Sequence, residues 1–371
     1  MKPRVLYLTS EYSLRNGWGT CAVNWIERLR QDVAHAEILT MTGARNDAAP
    51  WPTHAILRSA SDGRWKSLAM AWDGWRVARR CSGHFDIVHS LIEPFAPLGD
   101  RLAKRFAGKS MIQLIGTYSV APARTRWRET YAAVYRQAKS LISISHFTRR
   151  RVLEEFPNLD IEVAHIGVDE TRFTTDKTQV SSEPFFLFVG ASKPRKGLLT
   201  ALRGFKDFLQ KHDGYRFHVV GNFDNSTQYN QKVTDFIRKA KLPVKFLGSV
   251  THQELVRQFQ RCTAHVLPSE SESFIFEGFG LVHLEANMCG SLTIGSKDSA
   301  NEEIIEDGGN GFLVPQKDFL AVAQAMQAAV KRVAVEESRV RTQCVEHARS
   351  YSWDKSVQAV LDVYRRSGES P

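Results

Sequence analysis

Short apolar runs alternate with longer segments of helical apolar period through the first half of the chain. The apolar runs lie at 5–9, 38–41, 86–90, 111–115 and 141–145. The helix-period segments lie at 22–29, 65–80, 98–106, 128–138 and 147–156. Because strands that alternate with helices join into parallel sheets, the pattern predicts a doubly wound α/β domain.

The alternation starts again at residue 185, after a polar and unpatterned stretch at 174–184 that we interpret as a linker. Further strands are predicted at 185–190, 218–221, 244–248, 264–267, 292–295 and 311–314. Further helices are predicted at 198–209, 319–333, 338–348 and 354–365. The sequence therefore predicts two Rossmann-like doubly wound domains, 1–173 and 185–352, facing each other across a cleft.

Composition and cysteine usage indicate a globular protein of the cytoplasm. Of the 371 residues, 43% are hydrophobic, and no apolar run reaches the roughly 18 residues of a membrane-spanning helix. The first residues follow a strand pattern and lack the long apolar segment of a secretion signal. The five cysteines are scattered without paired spacing, as expected for reduced thiols. We therefore expect a cytoplasmic location.

The net charge of +10, from 50 Lys and Arg against 40 Asp and Glu, favours anionic partners. Phosphorylated substrates, acidic lipid head groups and nucleic acid all fit this charge. The sequence contains neither zinc-finger spacing nor an RNA-recognition motif, so we expect no nucleic acid partner.

A predicted strand at 264–267 leads through a glycine-containing loop into an apolar helix that ends near 289–290. Such an arrangement presents free N–H groups and a helix dipole to an anion. Glu277 lies in the loop and Glu285 in the helix. Since carboxylates accept hydrogen bonds from hydroxyl groups, this stretch suits a phosphorylated polyol such as a nucleotide sugar. The alternative is that both acids are merely solvated.

Two further loops carry candidate chemistry at the ends of first strands. Gly17 and Gly19 lie between the first strand and the first helix, as in nucleotide-binding folds, although Gly-x-Gly also forms ordinary turns. Lys193, Arg195 and Lys196 follow the first strand of the second domain. Cations at this edge would neutralise a diphosphate leaving group, whereas the alternative is a solvated basic turn.

The stretch E-GFGLVHL-E-A closely resembles the EX7E motif of retaining GT-B glycosyltransferases, especially family 4. The resemblance implies that Glu277 contacts the donor sugar and that Glu285 holds the nucleotide ribose. It implies that backbone N–H groups of the residues after Glu277 hold phosphate oxygens. These residues are Phe279, Gly280 and Leu281. It also implies that Gly17 and Gly19 reach the donor phosphates and the acceptor.

Other family segments match in part. Lys196 and Gly197 match the end of the family's Gly-Arg-x4-Lys-Gly loop. Ala191 stands where the family has Arg. Lys193 or Arg195 is the candidate replacement for that Arg. Val250 falls where the family has its base-binding loop.

The strand at 112–118 is similar to the family strand that ends in His-Gly-Thr, with Ile115 in place of His and with Thr117 and Tyr118 as acceptor-binding candidates. The segment 163–169 resembles the family's closing strand, and the resemblance implies that 353–371 returns to the first domain.

These matches imply a glycosyltransferase that moves a sugar from a UDP- or GDP-sugar, with retention, to a glycan, a lipid-linked sugar or a small polyol. Front-face attack through an ion-pair transition state would leave positioning and charge stabilisation to the protein, with Glu277 and Lys196 as the catalytic residues. No Asp-x-Asp occurs, so we expect neither a metal nor a cofactor besides the nucleotide sugar. A GT-B-like epimerase or hydrolase, and a non-catalytic sugar-nucleotide or membrane-binding relative, are the alternatives. Base, sugar, acceptor, linkage and oligomeric state stay open.

Two segments of the first domain combine basic and aromatic residues. The first contains Arg64, Trp65, Lys66, Trp72, Trp75, Arg76, Arg79 and Arg80. The second contains Arg124, Arg126, Trp127, Arg128, Tyr131, Tyr135, Arg136 and Lys139. Such segments suit peripheral contact with the inner membrane face or with a lipid-linked acceptor. The alternative is that the aromatic residues are core and the basic residues surround it.

Overall fold

The computed structural model describes residues 1–44, 46–58, 76–77, 79–81, 83–175 and 183–368. Most of the first basic and aromatic segment, namely Arg64, Trp65, Lys66, Trp72 and Trp75, lies outside these residues. The contacts divide the chain into two compact units. Unit 1 comprises Met1–Ile166 and Trp353–Pro371, and unit 2 comprises Gly167–Ser352.

Unit 1 is built on a seven-stranded sheet in which every pairing is parallel. The strands are β1 (Arg4–Leu8), β2 (His35–Met41), β3 (Thr53–Leu57), β4 (Ile87–Ser90), β5 (Lys109–Leu114), β6 (Ser140–Ser143) and β7 (Ile161–Val163). Their order across the sheet is β3-β2-β1-β4-β5-β6-β7. The described helices of this part are α1 (Gly17–Leu29), α2 (Ala96–Arg105), α3 (Thr117–Val120), α4 (Arg128–Gln137) and α5 (His146–Glu155).

Unit 2 repeats the design on six parallel strands. They are β8 (Phe185–Val189), β9 (Arg216–Val220), β10 (Val244–Gly248), β11 (Ala264–Val266), β12 (Leu292–Ser296) and β13 (Gly311–Val314), in the order β10-β9-β8-β11-β12-β13. The helices are α6 (Leu198–Phe208), α7 (Gln228–Ala240), α8 (His252–Arg261), α9 (Leu281–Met288) and α10 (Phe319–Arg349). The final helix, α11 (Trp353–Gly368), belongs to unit 1.

The predicted α/β alternation is confirmed, with corrections at particular elements. The sequence analysis did not predict β3, α7 or α8. The strand predicted at 163–169 is wrong beyond Val163, because the chain leaves the sheet there and Val168 pairs with Ser352 instead. The break predicted between 333 and 338 is confirmed as a kink at Glu336, whose φ of −135° is not helical.

The described division between the units falls before the polar stretch at 174–184. Val168 N donates to Tyr351 O at 2.9 Å. Arg172 and Phe173 both contact the His252 ring, so the residues that precede the stretch pack on unit 2. At the other end of unit 2 the chain returns to unit 1, where Trp25 Nε1 donates to Ser356 Oγ at 3.1 Å. No described helix is both long and apolar enough to span a bilayer.

The core of unit 2 depends on close contact between α6 and α10. Apolar side chains of α6 pack against the buried strand β8, with Phe186 and Phe205 fully buried. A Cβ atom at Gly204 would lie 2.7 Å from Val322 Cγ1 and 2.8 Å from Phe319 O. Only glycine therefore fits where these two helices touch.

Gly204→Ala should destabilise the protein. The added methyl group would force α6 and α10 apart, and overpacking of this kind lowers the free energy of unfolding by about 1–3 kcal/mol, partly offset by better helix propensity. Urea denaturation would measure the change. Lys206→Ala, at an exposed position of the same helix, is the matched control, and equal unfolding midpoints for the two variants would contradict the prediction.

Candidate active site

Three of the predicted site residues of unit 2 meet in one ion-pair cluster. Arg195 Nη1 and Lys196 Nζ each lie 2.6 Å from the same oxygen, Glu277 Oε2. The side chains are largely buried, with 28%, 15% and 12% exposure for Arg195, Lys196 and Glu277. Two cations therefore share one carboxylate, and the cluster keeps one positive charge for an anion.

The backbone brings the two loops of this cluster together. Residues 194–196 form a short 3-10 turn after β8, and Gly197, with φ of +70°, is the N-cap that precedes α6. A Cβ atom at Gly197 would lie 1.9 Å from Pro268 O, so only glycine allows this approach. Glu270 N donates to Arg195 O at 2.8 Å and joins the basic turn to the loop after β11.

The electrostatics keep Glu277 ionised. Burial by itself would raise the pKa of Glu277, but the charges of Lys196 and Arg195 outweigh it and lower that pKa to about 2. Burial lowers the pKa of Lys196, and the Glu277 carboxylate opposes this change. Because the two groups are 2.6 Å apart, we describe them as an ion pair at neutral pH.

Glu285 occupies a different environment in the second turn of α9. Its side chain is half-buried, and none of the described residues donates a hydrogen bond to its carboxylate. Burial raises the pKa of Glu285 to about 7, although the charge of Arg172 opposes this. Its oxygens are therefore available to a ligand's hydroxyl groups, and its charge changes near neutral pH.

The N-terminus of α9 follows Glu277 directly. Its first N–H groups have no acceptor within the helix, as at every helix start. Gly280 precedes the helix with φ of +92°, and a Cβ atom there would lie 2.6 Å from Asn301 Nδ2. Phe279 is buried and Leu281 is half-buried. Gly280 thus permits the turn that places these N–H groups beside the loop of Glu277.

Two buried histidines, missed by the sequence analysis, lie behind the cluster. His265 on β11 and His283 on α9 both contact Thr293 Oγ1 through Nδ1. Burial lowers the pKa of His265 well below its usual range, and it lowers that of His283 to about 3. Both rings are neutral and add no positive charge near Lys196. Only their apolar sequence context could have indicated burial.

The remaining predicted residues of unit 2 stand apart from the cluster. Lys193 is exposed at the start of the basic turn, and Ala191 is exposed before it. Val250 follows β10, whereas Glu277 follows β11. The strands β9 and β8 lie between these two in the sheet. None of the contacts in the described residues joins Val250 to Glu277, so its role stays a prediction.

In unit 1, a buried carboxylate that the sequence analysis missed holds the loop after β5. Glu93 Oε1 accepts from the backbone N–H groups of Ile115 and Gly116, the latter at 3.1 Å. It also accepts from Ser119 Oγ, while Glu93 Oε2 is buried without a partner among the described residues. Burial raises the pKa of Glu93, and the donated hydrogen bonds oppose this. The only sequence sign was an acid three residues after the predicted strand at 86–90.

The predicted unit 1 residues lie beside that loop. Thr117 begins α3, and Tyr118 is 51% exposed. The Tyr118 ring meets the Trp18 ring edge-on, with centroids 5.1 Å apart. Gly17, Trp18 and Gly19 form the first turn of α1, which corrects their prediction as a loop before the helix, so the start of α1 and α3 are neighbours.

Gly17 and Gly19, both in the first turn of α1, differ in their surroundings. A Cβ atom at Gly19 would lie 2.1 Å from Ser13 O, whereas one at Gly17 would have no atom within 4 Å. Gly19 is therefore required by packing, and Gly17 borders open space.

The second basic and aromatic segment is partly core. Tyr131 and Tyr135 are buried and their rings pack inside unit 1, which supports the alternative that these aromatic residues are core. Arg128 pairs with Glu155 at 3.6 Å, and Arg124 pairs with the same carboxylate. Arg126, Arg136 and Lys139 are exposed. A basic surface therefore remains, while the two tyrosines belong to the core.

Curated proteins of known name are similar to this chain in sequence. The D-inositol 3-phosphate glycosyltransferase of Mycobacterium ulcerans (strain Agy99) is 29% identical over 236 residues, 62% of this chain and 49% of that protein. The chain spans about half the length of several curated relatives that it matches. The phosphatidyl-myo-inositol mannosyltransferase of Mycobacterium leprae (strain TN) is 24% identical over 292 residues, 76% of this chain and 74% of that protein.

Solved structures share the fold. The crystal structure of Anabaena HepE in complex with UDP and glucose matches with a TM-score of 0.78 at 16% identity, covering 98% of this chain and 100% of that one. Sucrose-phosphate synthase from Thermosynechococcus elongatus matches with a TM-score of 0.79 at 17% identity, covering 98% of each chain. The predicted fold is thereby confirmed as GT-B, with two Rossmann-like domains.

Two family models cover most of the chain. The model described as Glycosyltransferase Family 4 matches residues 15–172. The model described as Glycosyl transferases group 1 matches residues 170–350. The chain belongs to the glycosyltransferases of group 1 and family 4.

Proposed function

We propose that this protein is a retaining glycosyltransferase that moves a sugar from a UDP- or GDP-sugar to a hydroxyl-bearing acceptor. The observation that carries the proposal is the cluster of Arg195, Lys196 and Glu277 at the N-terminus of α9, with Glu285 on the same helix. A site that binds a nucleoside diphosphate sugar needs cations and helix N–H groups for the phosphates and carboxylates for the hydroxyl groups.

The diphosphate would lie at Lys196, Arg195 and the first N–H groups of α9. These groups offset the charge that the leaving diphosphate gathers as the glycosidic bond breaks, and they are held in place before the reaction begins. Lys193, exposed at the same turn, adds a further cation. The complexes of HepE with UDP and glucose and with UDP-glucose support a nucleotide sugar as donor.

Glu277 suits an electrostatic role. A carboxylate whose pKa is lowered to about 2 by two cations is a weak nucleophile, which argues against a covalent glycosyl intermediate on it. It can still accept hydrogen bonds from the donor sugar and stabilise positive charge at the anomeric carbon. Retention would then follow from attack on the face that the diphosphate leaves, with the diphosphate accepting the acceptor's proton.

The acceptor would bind at the unit 1 edge formed by Gly17, Trp18, Thr117 and Tyr118. Exposed aromatic rings pack well against the apolar faces of sugar rings, and Glu93 holds the loop that presents Tyr118. A relative is named for a phosphatidyl-myo-inositol acceptor, which makes a lipid-linked acceptor a candidate. Arg126, Arg136 and Lys139 would then contact anionic head groups at the cytoplasmic membrane face.

Glu277→Gln should separate binding from turnover. The variant loses the ionised carboxylate but keeps both cations, so we expect UDP or GDP affinity to be unchanged or higher. We expect kcat to fall by about 100-fold or more, the usual loss for a group that stabilises transition-state charge. Calorimetry and a transfer assay would measure the two quantities. Glu272→Gln, exposed on the same loop, is the control, and unchanged turnover in Glu277→Gln would refute the assigned role.

Nucleotide affinity should depend on pH through Glu285. In the free protein its pKa is about 7, and ribose hydroxyls that donate to it favour the ionised form, so binding lowers that pKa. Affinity should therefore be fully present above pH 7 and fall as the pH drops below 7, by up to about tenfold per pH unit. Calorimetry from pH 5.5 to 8.5 would measure this in wild type and in Glu285→Gln. The nucleotide's own titration is common to both, so identical pH profiles would contradict the assignment.

Tyr118→Ala should weaken binding of the acceptor without changing binding of the nucleotide. Loss of the exposed ring removes contact with the acceptor, and we expect its KM to rise by about tenfold, the effect of roughly 1.4 kcal/mol of lost binding. UDP or GDP affinity should stay the same. Leu320→Ala, which removes an apolar side chain with 50% exposure from α10, is the control. An unchanged acceptor KM would exclude Tyr118 from the acceptor site.

A further inference from the structure

Three side chains with different metal-binding donors meet in unit 1, away from the residues discussed so far. The Glu37–His54–Cys81 cluster offers one carboxylate oxygen, one imidazole nitrogen and one thiol sulfur, all within 4.8 Å of one another. His54 Nε2 lies 2.8 Å from Glu37 Oε2. His35 Nε2 lies 3.7 Å from the other oxygen, Glu37 Oε1. Three potential ligands therefore surround one position, and His35 lies beside Glu37 as a fourth side chain nearby.

The fold builds this cluster from three separate segments. His35 and Glu37 are two positions apart on β2, so their side chains lie on the same face of the sheet. His54 comes from β3, the edge strand that pairs with β2. Cys81 comes from the segment before β4 and is buried. Aromatic contacts with Trp51 and Phe85 hold the His35 ring.

The donor set matches zinc chemistry. Thiolate, imidazole and carboxylate are the ligands of tetrahedral Zn²⁺, with bonds of about 2.0–2.3 Å, so that ligand atoms lie about 3.3–3.8 Å apart. The Glu37–His54 contact of 2.8 Å would have to open by about half an ångström, a side-chain adjustment. A divalent cation with the Glu37 carboxylate and the Cys81 thiolate would form a neutral group, which suits a largely buried position.

We propose that Glu37, His54 and Cys81, with His35 beside them, form a binding site for a divalent transition metal, most suitably Zn²⁺. His35 begins β2, and His54 is the second residue of β3, so the site lies towards the amino ends of these strands. Ligands of such sheets bind at the carboxyl ends, so the metal has a structural role and would join the edge strand β3 to the segment before β4. The proposal is independent of the proposed glycosyltransferase activity.

Metal binding would change the protonation of Cys81. Burial and the neighbouring Glu37 raise the pKa of its thiol, so the thiol is neutral without a cation. Coordination forms the metal–sulfur bond and releases the thiol proton to solvent, and affinity should therefore rise with pH. This proton release distinguishes thiolate coordination from weak binding at surface histidines.

The test uses the full chain without a histidine tag, after treatment with a chelator. We expect Co²⁺ to bind with one-to-one stoichiometry and to produce the near-ultraviolet band of thiolate-to-cobalt charge transfer. Zn²⁺ should remove this band by competition. Zn²⁺ at about a hundred times its dissociation constant should raise the melting temperature by about 5 °C or more.

Two variants and one control make the outcome decisive. Cys81→Ser should abolish the charge-transfer band, and His54→Gln should weaken Co²⁺ binding by about 100-fold or more. Cys21→Ser removes another buried thiol of unit 1 and should leave the charge-transfer band and the Co²⁺ affinity unchanged. His54→Gln keeps the test valid if Cys81→Ser does not fold. A wild-type protein without the band, or a band that survives in both ligand variants, would overturn the proposal and leave a hydrogen-bonded carboxylate and imidazole beside a thiol.

Discussion

The site in unit 2 depends on one constraint, that a largely buried, ionised carboxylate must have cations or hydrogen-bond donors as partners. Glu277 meets it by contact with Arg195 and Lys196 on a loop that follows a different strand. Removing the partner of a buried ion costs about 3–5 kcal/mol, but here the loss of either cation leaves the other in place. The same contact fixes both loops, requires glycine at position 197, and leaves a net positive charge beside the N-terminus of α9.

Unit 1 uses a buried carboxylate in a different way. Glu93 has backbone N–H groups and a hydroxyl as its donors, without a cation, so burial dominates and its pKa is raised where that of Glu277 is lowered. Both acids hold loops that follow parallel strands, the edge at which ligands of such sheets bind. In one unit the acid balances charge beside a proposed diphosphate site. In the other it orders the backbone beside an exposed aromatic pair.

Much of the fold could be predicted because many of its strands, helices and turns are determined by the residues within them. Apolar runs such as β8 are buried along most of their length, and the glycine-containing loop before α9 has a strand and a helix at its ends. The elements that were missed bury few residues. Strand β10 was predicted, but the amphipathic helices on either side of it, α7 and α8, carry many charges and bury few residues. The sequence left the places of Tyr131 and Tyr135 open, because an aromatic residue near arginines can face either the core or the solvent.

The sequence by itself determined the alternation of elements, the family resemblance and the places of Glu277 and Glu285 in one strand–loop–helix segment. These features follow from neighbours within a few residues. Only the tertiary structure decided that Arg195 reaches Glu277 across 82 positions and that Glu93 holds the backbone of Ile115. It likewise decided that burial brings the pKa of Glu285 to about 7. Contact partners and desolvation depend on how distant segments pack, and no local pattern of residues contains that information.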